Sequence, residues 1–105
     1  MTLRFLDFVE DQVNRTIVRL EAERVGTGLR FATEYAEVLE MLQTNPRFYP
    51  SVEDPMAARE IRNALVLRAT YRVIYEVESA GVLLIGVLHT HRRPGSWHRS
   101  LGDDQ

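Results

Sequence analysis

The sequence predicts an α+β protein in which an N-terminal strand and an antiparallel helical hairpin pack on a twisted, mainly antiparallel sheet, in the order β-α-α-β-β-β. Two helical patterns occupy the first half of the chain, and three segments with a period of two occupy the second half. A connection rich in proline, residues 45–59, separates the two halves. Because the links between the last three segments are short, we expect those strands to pair as an antiparallel meander.

The first half begins with a short strand over residues 3–6 and continues with two helices. Apolar residues at helical spacing predict the first helix over about residues 7–24, namely Val9, Val13, Ile17 and Leu20. Glycines interrupt this pattern at residues 26 and 28, and a second helix follows over about residues 29–44. It ends there because the residue before Pro46 is pushed out of the helical region. Two helices of similar length joined by a tight turn predict a hairpin.

The second half contains three predicted strands, over residues 60–67, 71–78 and 82–89. Alternation in the middle strand places four residues on one face, which is predicted to receive the helices: Tyr71, Val73, Tyr75 and Val77. The opposite face is predicted to present Arg62, Arg72 and Glu76 to a partner. His89 ends the last strand and is predicted to lie beside that face.

The composition indicates one ordinary domain, residues 1–100, followed by a short acidic tail at residues 101–105. Of the 105 residues 45% are hydrophobic, which is enough for a modest core. The longest apolar run, residues 81–88, is too short to span a bilayer, and the start lacks the pattern of a secretory signal. The absence of cysteine excludes disulfides and thiol catalysis and removes most structural zinc arrangements. We therefore expect a cytoplasmic protein with no membrane partner.

Charge is distributed unevenly, although the formal net charge is only −2. Residues 1–58 carry six arginines against ten acidic residues, whereas residues 59–99 carry seven arginines against three glutamates. One half is therefore acidic and the other basic, which indicates two different partners. All thirteen cationic residues are arginine, whose forked guanidinium suits phosphates and carboxylates, but a GC-rich genome produces the same bias.

Four segments carry a resemblance to a known family. They are GLRF at 28–31, NPRFYP at 45–50, IRNALVLRATYRVIYEV at 61–77 and VLHTHRRPGSWHRS at 87–100. In this order and spacing they resemble the RelE/ParE toxin superfamily, in its plasmid stabilisation branch, over nearly the whole chain. The chain differs at Ala69-Thr70, where that family carries Phe-Pro.

The resemblance implies the toxin of a type II toxin–antitoxin module, which inhibits growth and is neutralised by a cognate antitoxin. RelE-like members cut mRNA on the ribosome, whereas ParE-like members poison DNA gyrase without cutting anything themselves. Both targets stay open, and so does an inactive, domesticated toxin that only binds its partner. A homodimer or a hetero-oligomer with the antitoxin is the expected assembly.

The candidate catalytic residues for RNA cleavage are Arg62, Arg72, Glu76 and His89. Attack by a 2′-hydroxyl needs groups that accept and donate protons, together with cations on the phosphate. An imidazole suits either proton role, and two arginines on neighbouring strands can grip a phosphate. The alternative is that Arg72 and Glu76 are paired, solvated neighbours and that His89 only caps the sheet.

The C-terminal segment supplies candidate target-binding residues, Arg92, Arg93, Trp97 and Arg99. The arginines suit a polyanion, and the indole suits stacking on a base. The alternative is a basic tail whose tryptophan folds back over the sheet. The three histidines also allow an open zinc site, but no carboxylates are placed to orient them, so neither a metal nor a cofactor is expected.

Overall fold

The computed structural model describes residues 2–52 and 58–91, and its elements follow the predicted order. The N-terminal half contains β1 (Thr2–Phe5), α1 (Val9–Glu23) and α2 (Thr27–Thr44). The C-terminal half contains β2 (Glu60–Val66), β3 (Tyr71–Glu78) and β4 (Gly81–His89). The α+β class is therefore confirmed, and the bounds lie within two residues of those predicted. None of the helices in the described ranges is long and apolar enough to cross a membrane.

The four strands form one mixed sheet in the order β1-β4-β3-β2. The meander β2-β3-β4 is antiparallel, as its short turns require, whereas β1 pairs parallel with β4. Gly81 allows this parallel pairing, because a Cβ at residue 81 would collide with the carbonyl oxygen of Thr2. The N-terminal strand β1 therefore forms one edge of the sheet, and β2 forms the other.

The two helices fold back on each other through a turn in which Gly26 adopts a φ of 92°. The carboxylate of Glu21 accepts hydrogen bonds from the backbone N–H groups of Gly26 and Gly28, so α1 itself caps the start of α2. This explains why α2 begins at Thr27, before the predicted start. A Cβ at Gly28 would lie 2.9 Å from the Cβ of Glu21, so glycine sets how closely the helices approach.

A β-bulge in β4 determines which side chains face the helices. The register pairs Ile74 with Gly86 but Tyr75 with Leu84, so Ile85 is an extra residue without a partner on β3. Because side chains alternate along a strand, an extra residue reverses the alternation beyond it. The half of β4 that ends at His89 therefore does not continue the alternation of the half that begins at Gly81.

The second face of the sheet, away from the helices, is less polar than predicted. Ile61, Ile74 and Leu83 belong to this face by register and are each at most 7% exposed. The exposed, charged part of this second face is small, and Arg72 belongs to it. The sequence pattern underestimated its burial because the residues two positions before and after Ile61 and Ile74, which share their face, are polar or charged.

Candidate functional site

The two predicted phosphate-gripping arginines lie on opposite faces of the sheet. Side chains directly opposite each other on antiparallel strands point to the same face. Arg62 lies opposite Tyr75, on the helix-facing side, whereas Arg72 lies opposite Leu65 on the second face. The expectation that Arg62 and Arg72 act on one phosphate from a shared face is therefore wrong, because the sheet stands between them.

Arg62 is engaged in holding the segment that follows α2. Its Nη1 donates to the carbonyl oxygens of Tyr49 at 2.7 Å and of Arg47 at 3.3 Å. Its Nε donates to Glu60 Oε2 at 2.8 Å. With its side chain only 19% exposed, Arg62 has most of its donors committed within the chain.

Glu60 and Tyr75 complete the same cluster. Glu60 also accepts two hydrogen bonds of 2.8 Å from Arg47. Arg47 and Arg62 together lower the pKa of its carboxyl group. The hydroxyl of Tyr75 donates to the carbonyl oxygen of Pro46 at 2.7 Å, in a buried position. We call this cluster the post-helix lock; its residues are Pro46, Arg47, Tyr49, Glu60, Arg62 and Tyr75.

Glu76 lies buried on the second face, where Arg59 rather than Arg72 is its ion-pair partner. Its Oε2 lies 3.3 Å from Arg59 Nε, and within the described part of the chain its Oε1 has no hydrogen-bond partner. Burial raises the pKa of this carboxyl group. Glu76 therefore shares a face with Arg72 but not with the other two predicted residues.

His89 faces α1, which corrects its predicted place beside the face of Arg72. It lies opposite Tyr71, with ring centroids 5.2 Å apart at an interplanar angle of 78°. The prediction followed strict alternation from Leu83, and the bulge at Ile85 reverses that alternation. His89 is now on the same face as Arg62, but four residues along β3 separate their partners, a distance of roughly 13 Å.

A cavity of about 290 Å³ lies between α1 and the end of β4. We call it the His89 groove; its lining residues are Gln12, Arg15, Thr16, Arg19, Tyr71, Val87, Leu88 and His89. The guanidinium of Arg19 hydrogen-bonds the hydroxyl of Tyr71 and lies 5.8 Å from the centre of that ring. A basic and aromatic site therefore forms on the helix side of the sheet, where the sequence analysis placed none.

Sequence reasoning missed Arg15 and Arg19 as functional candidates. The signal was present, since Gln12, Arg15 and Arg19 recur at three- and four-residue spacing and so share one helix face. What the sequence lacks is any indication that this face meets His89, some seventy residues later in the chain. Tyr71, predicted as a core residue, is indeed 3% exposed, but its hydroxyl reaches the groove.

The turn between β2 and β3 lies at the same end of the sheet. Leu67, Arg68 and Ala69 all have positive φ angles of 53–63°, a conformation that is costly for residues other than glycine. The backbone N–H of Leu67 donates to Glu34 of α2 at 2.8 Å, and Thr90 donates to the carbonyl of Thr70 at 2.8 Å. These contacts hold the turn beside the residue that follows His89.

A second cavity, of about 440 Å³, lies between β1 and the two helices. We call it the hairpin groove; its lining residues are Phe5, Leu6, Asp7, Glu10, Val13, Asn14, Tyr35 and Leu39. Phe5 is 44% exposed here, and burial raises the pKa of Tyr35 to about 12, so its phenol stays neutral. Most of its lining residues are apolar or aromatic, and Asp7 and Glu10 are its acidic lining residues.

The predicted target-binding residues Arg92, Arg93, Trp97 and Arg99 lie outside the described residues, as does the acidic tail. Within the described ranges, no group of three or more histidine, aspartate or glutamate side chains is arranged to hold a metal ion. Compared with known proteins, the chain matches no family model and no curated protein.

Proposed function

We propose that this chain is the toxin of a type II toxin–antitoxin module of the RelE/ParE kind. The observation that carries the proposal is the post-helix lock. Two of the segments that resemble the family, residues 45–50 and 61–77, meet there through Arg62, Tyr75 and the carbonyls of Pro46 and Tyr49. Residues far apart in sequence thus cooperate in one structural role, which supports treating them as a single inherited pattern.

We propose further that the toxin inhibits its target by binding, as the gyrase-directed branch does. Cleavage by the four predicted residues requires them to surround one phosphate. Instead Arg62 and His89 lie on one face, Arg72 and Glu76 on the other, and Arg62 is held by backbone carbonyls. This arrangement favours DNA gyrase as the target over ribosome-bound mRNA.

The hairpin groove suits the antitoxin. Its lining is mainly apolar, and the acidic residues Asp7 and Glu10 among its lining favour a partner that carries basic side chains. An amphipathic segment fits such a groove by placing its apolar residues against Phe5 and Leu39. In this proposal the acidic charge of the N-terminal half of the chain attracts the antitoxin.

The proposal is tested by expressing the chain alone and together with the product of any antitoxin-like gene found next to its own. Expression alone should arrest growth, and co-expression should restore it. Following mRNA 5′ ends and DNA breaks together then identifies the target, since a gyrase poison leaves mRNA intact. Codon-phased mRNA cuts would refute the binding mode and establish the nuclease. Normal growth would contradict an active toxin and leave a domesticated, partner-binding protein.

Two single variants test the antitoxin site. Phe5→Ser alters a residue of the hairpin groove that is 44% exposed, and Leu65→Ser alters a leucine on the second face that is 53% exposed. Phe5→Ser should weaken antitoxin binding by about tenfold or more, as expected for loss of an apolar anchor, while Leu65→Ser should leave it unchanged. Equal loss in both variants would show that the antitoxin binds elsewhere.

A further inference from the structure

Contacts inside the chain determine which polar groups of the His89 groove remain available as hydrogen-bond donors and which as acceptors. Gln12 shows this most simply. Its Oε1 accepts a hydrogen bond of 2.8 Å from the backbone N–H of Val87, so its amide NH₂ is the half left for a ligand. Gly86 provides the room for this contact, because a Cβ there would lie 3.2 Å from the same oxygen.

Internal hydrogen bonds likewise leave Tyr71 and His89 with a donor group each. The hydroxyl oxygen of Tyr71 accepts a hydrogen bond from Arg19, which leaves its own hydrogen free to donate. Nδ1 of His89 accepts a hydrogen bond of 3.1 Å from the backbone N–H of His91. This bond requires the tautomer that carries hydrogen on Nε2, so the imidazole also presents a donor.

The charges of the groove agree with this donor pattern. Arg15 and Arg19 both line it, and the guanidinium group of Arg19 hydrogen-bonds the Tyr71 hydroxyl. Their partners, Asp11 and Glu23, are four residues away on α1, and in both ion pairs each side chain is more than half exposed. Such exposed pairs contribute little, so a strong anion can compete for the two arginines. Thr16 is the exception, since its hydroxyl donates to the carbonyl of Gln12 and offers only lone pairs.

From this convergence of donors we propose that the His89 groove binds a phosphate group, either free or as the monoester of a small molecule such as a nucleotide. A phosphate carries negative charge and mostly acceptor oxygens, which complements Arg15, Arg19, Tyr71 and His89 together. A volume of about 290 Å³ equals about ten water molecules, which leaves space beyond the phosphate for an attached group.

The rings beside the groove suit a planar substituent on that phosphate. His91 stacks on His89 with centroids 4.7 Å apart and an interplanar angle of 25°, and His91 itself is exposed. A nucleotide base placed against this pair extends the stack while its phosphate occupies the groove. The proposed role is binding, and it concerns a site distinct from both the hairpin groove and the post-helix lock.

The test is calorimetric titration of the full chain with inorganic phosphate, with adenosine 5′-monophosphate and with adenosine. Phosphate and the monophosphate should bind, and adenosine should not. Tighter binding of the monophosphate identifies a nucleotide site, whereas equal binding identifies a site for the free anion. Binding of adenosine as tight as that of its monophosphate, or no binding of either phosphate, would overturn the proposal.

Variants then assign the binding to the groove. Tyr71→Phe removes one neutral donor and should weaken phosphate binding about three- to tenfold, and Arg19→Gln should weaken it by about tenfold or more. Arg30→Gln is the matched control, because Arg30 forms the same kind of i,i+4 pair on α2 and does not line the groove. Equal affinity in all three variants refutes the site.

A variant that fails to fold must be distinguished from one that fails to bind. Thermal unfolding of each variant provides this check. Arg15→Gln serves as the second groove variant, because the Arg15 side chain is 73% exposed and is not expected to affect folding. If Arg15→Gln folds and binds phosphate as tightly as the native chain, the charge argument is wrong.

Discussion

Replacing Arg62 by methionine separates a structural from a catalytic role for this residue. Methionine keeps most of the unbranched stem and removes the guanidinium, so packing changes little while three contacts are lost. Those contacts are the hydrogen bonds to Glu60 and to the carbonyls of Arg47 and Tyr49. The segment after α2 then loses one of the side chains that tie it to β2.

The expected loss of stability follows from the geometry of these contacts. The 2.7 Å bond to Tyr49 is partly buried and involves a charged donor, a class that contributes about 1.5–3 kcal/mol. The pair with Glu60, whose side chain is 30% exposed, contributes about 0.5–1 kcal/mol, and the 3.3 Å contact with Arg47 adds little. The free energy of unfolding should therefore fall by about 2–4 kcal/mol.

Urea unfolding at pH 7, followed by far-ultraviolet circular dichroism, measures this difference. With a slope of about 2 kcal/mol per molar urea, in the middle of the usual range for small proteins, the midpoint should fall by about 1–2 M. Arg72→Met is the matched control, because Arg72 is exposed on the neighbouring strand and should change stability by no more than about 0.5 kcal/mol. If Arg62→Met unfolds within about 0.5 kcal/mol of the native chain, the contacts of the lock contribute less to stability than proposed.

Two further predictions concern the hairpin turn and the lock. Gly28→Ala should lower the free energy of unfolding by about 1–3 kcal/mol, because its Cβ would lie against the backbone and Glu21 of α1. Gly26→Ala should cost less, about 1 kcal/mol, because its Cβ would meet no neighbour and only the φ of 92° opposes a side chain. Calorimetric unfolding of both variants checks which is less stable, and a lower stability of Gly26→Ala would contradict this prediction. Glu60 has its pKa lowered from 4.5 by Arg47 and Arg62, so its contribution is present above pH 4.5 and is lost as pH falls through the lowered value. Glu60→Gln should therefore show a shallower loss of stability than the native chain over that acid range, and parallel curves would contradict this account.

The sequence alone was sufficient for the order and the approximate bounds of the elements. Apolar spacing located α1, Pro46 located the end of α2, and alternation located the strands, because each of these signals is local and acts within a few residues. The pairing of β2 with β3 and of β3 with β4 was also predictable from the sequence, because short turns bring neighbouring strands together as antiparallel pairs.

Only the tertiary structure decided which of these residues share a surface. The pairing of Arg62 with Tyr75 and the extra residue at Ile85 determine the face of every side chain around them. Because side chains alternate with a period of two, a single-residue difference in register moves a residue to the opposite face, and no local pattern reports that difference. The predicted catalytic set was therefore divided between two faces, while Arg19 and His89, about seventy residues apart, were brought to one groove.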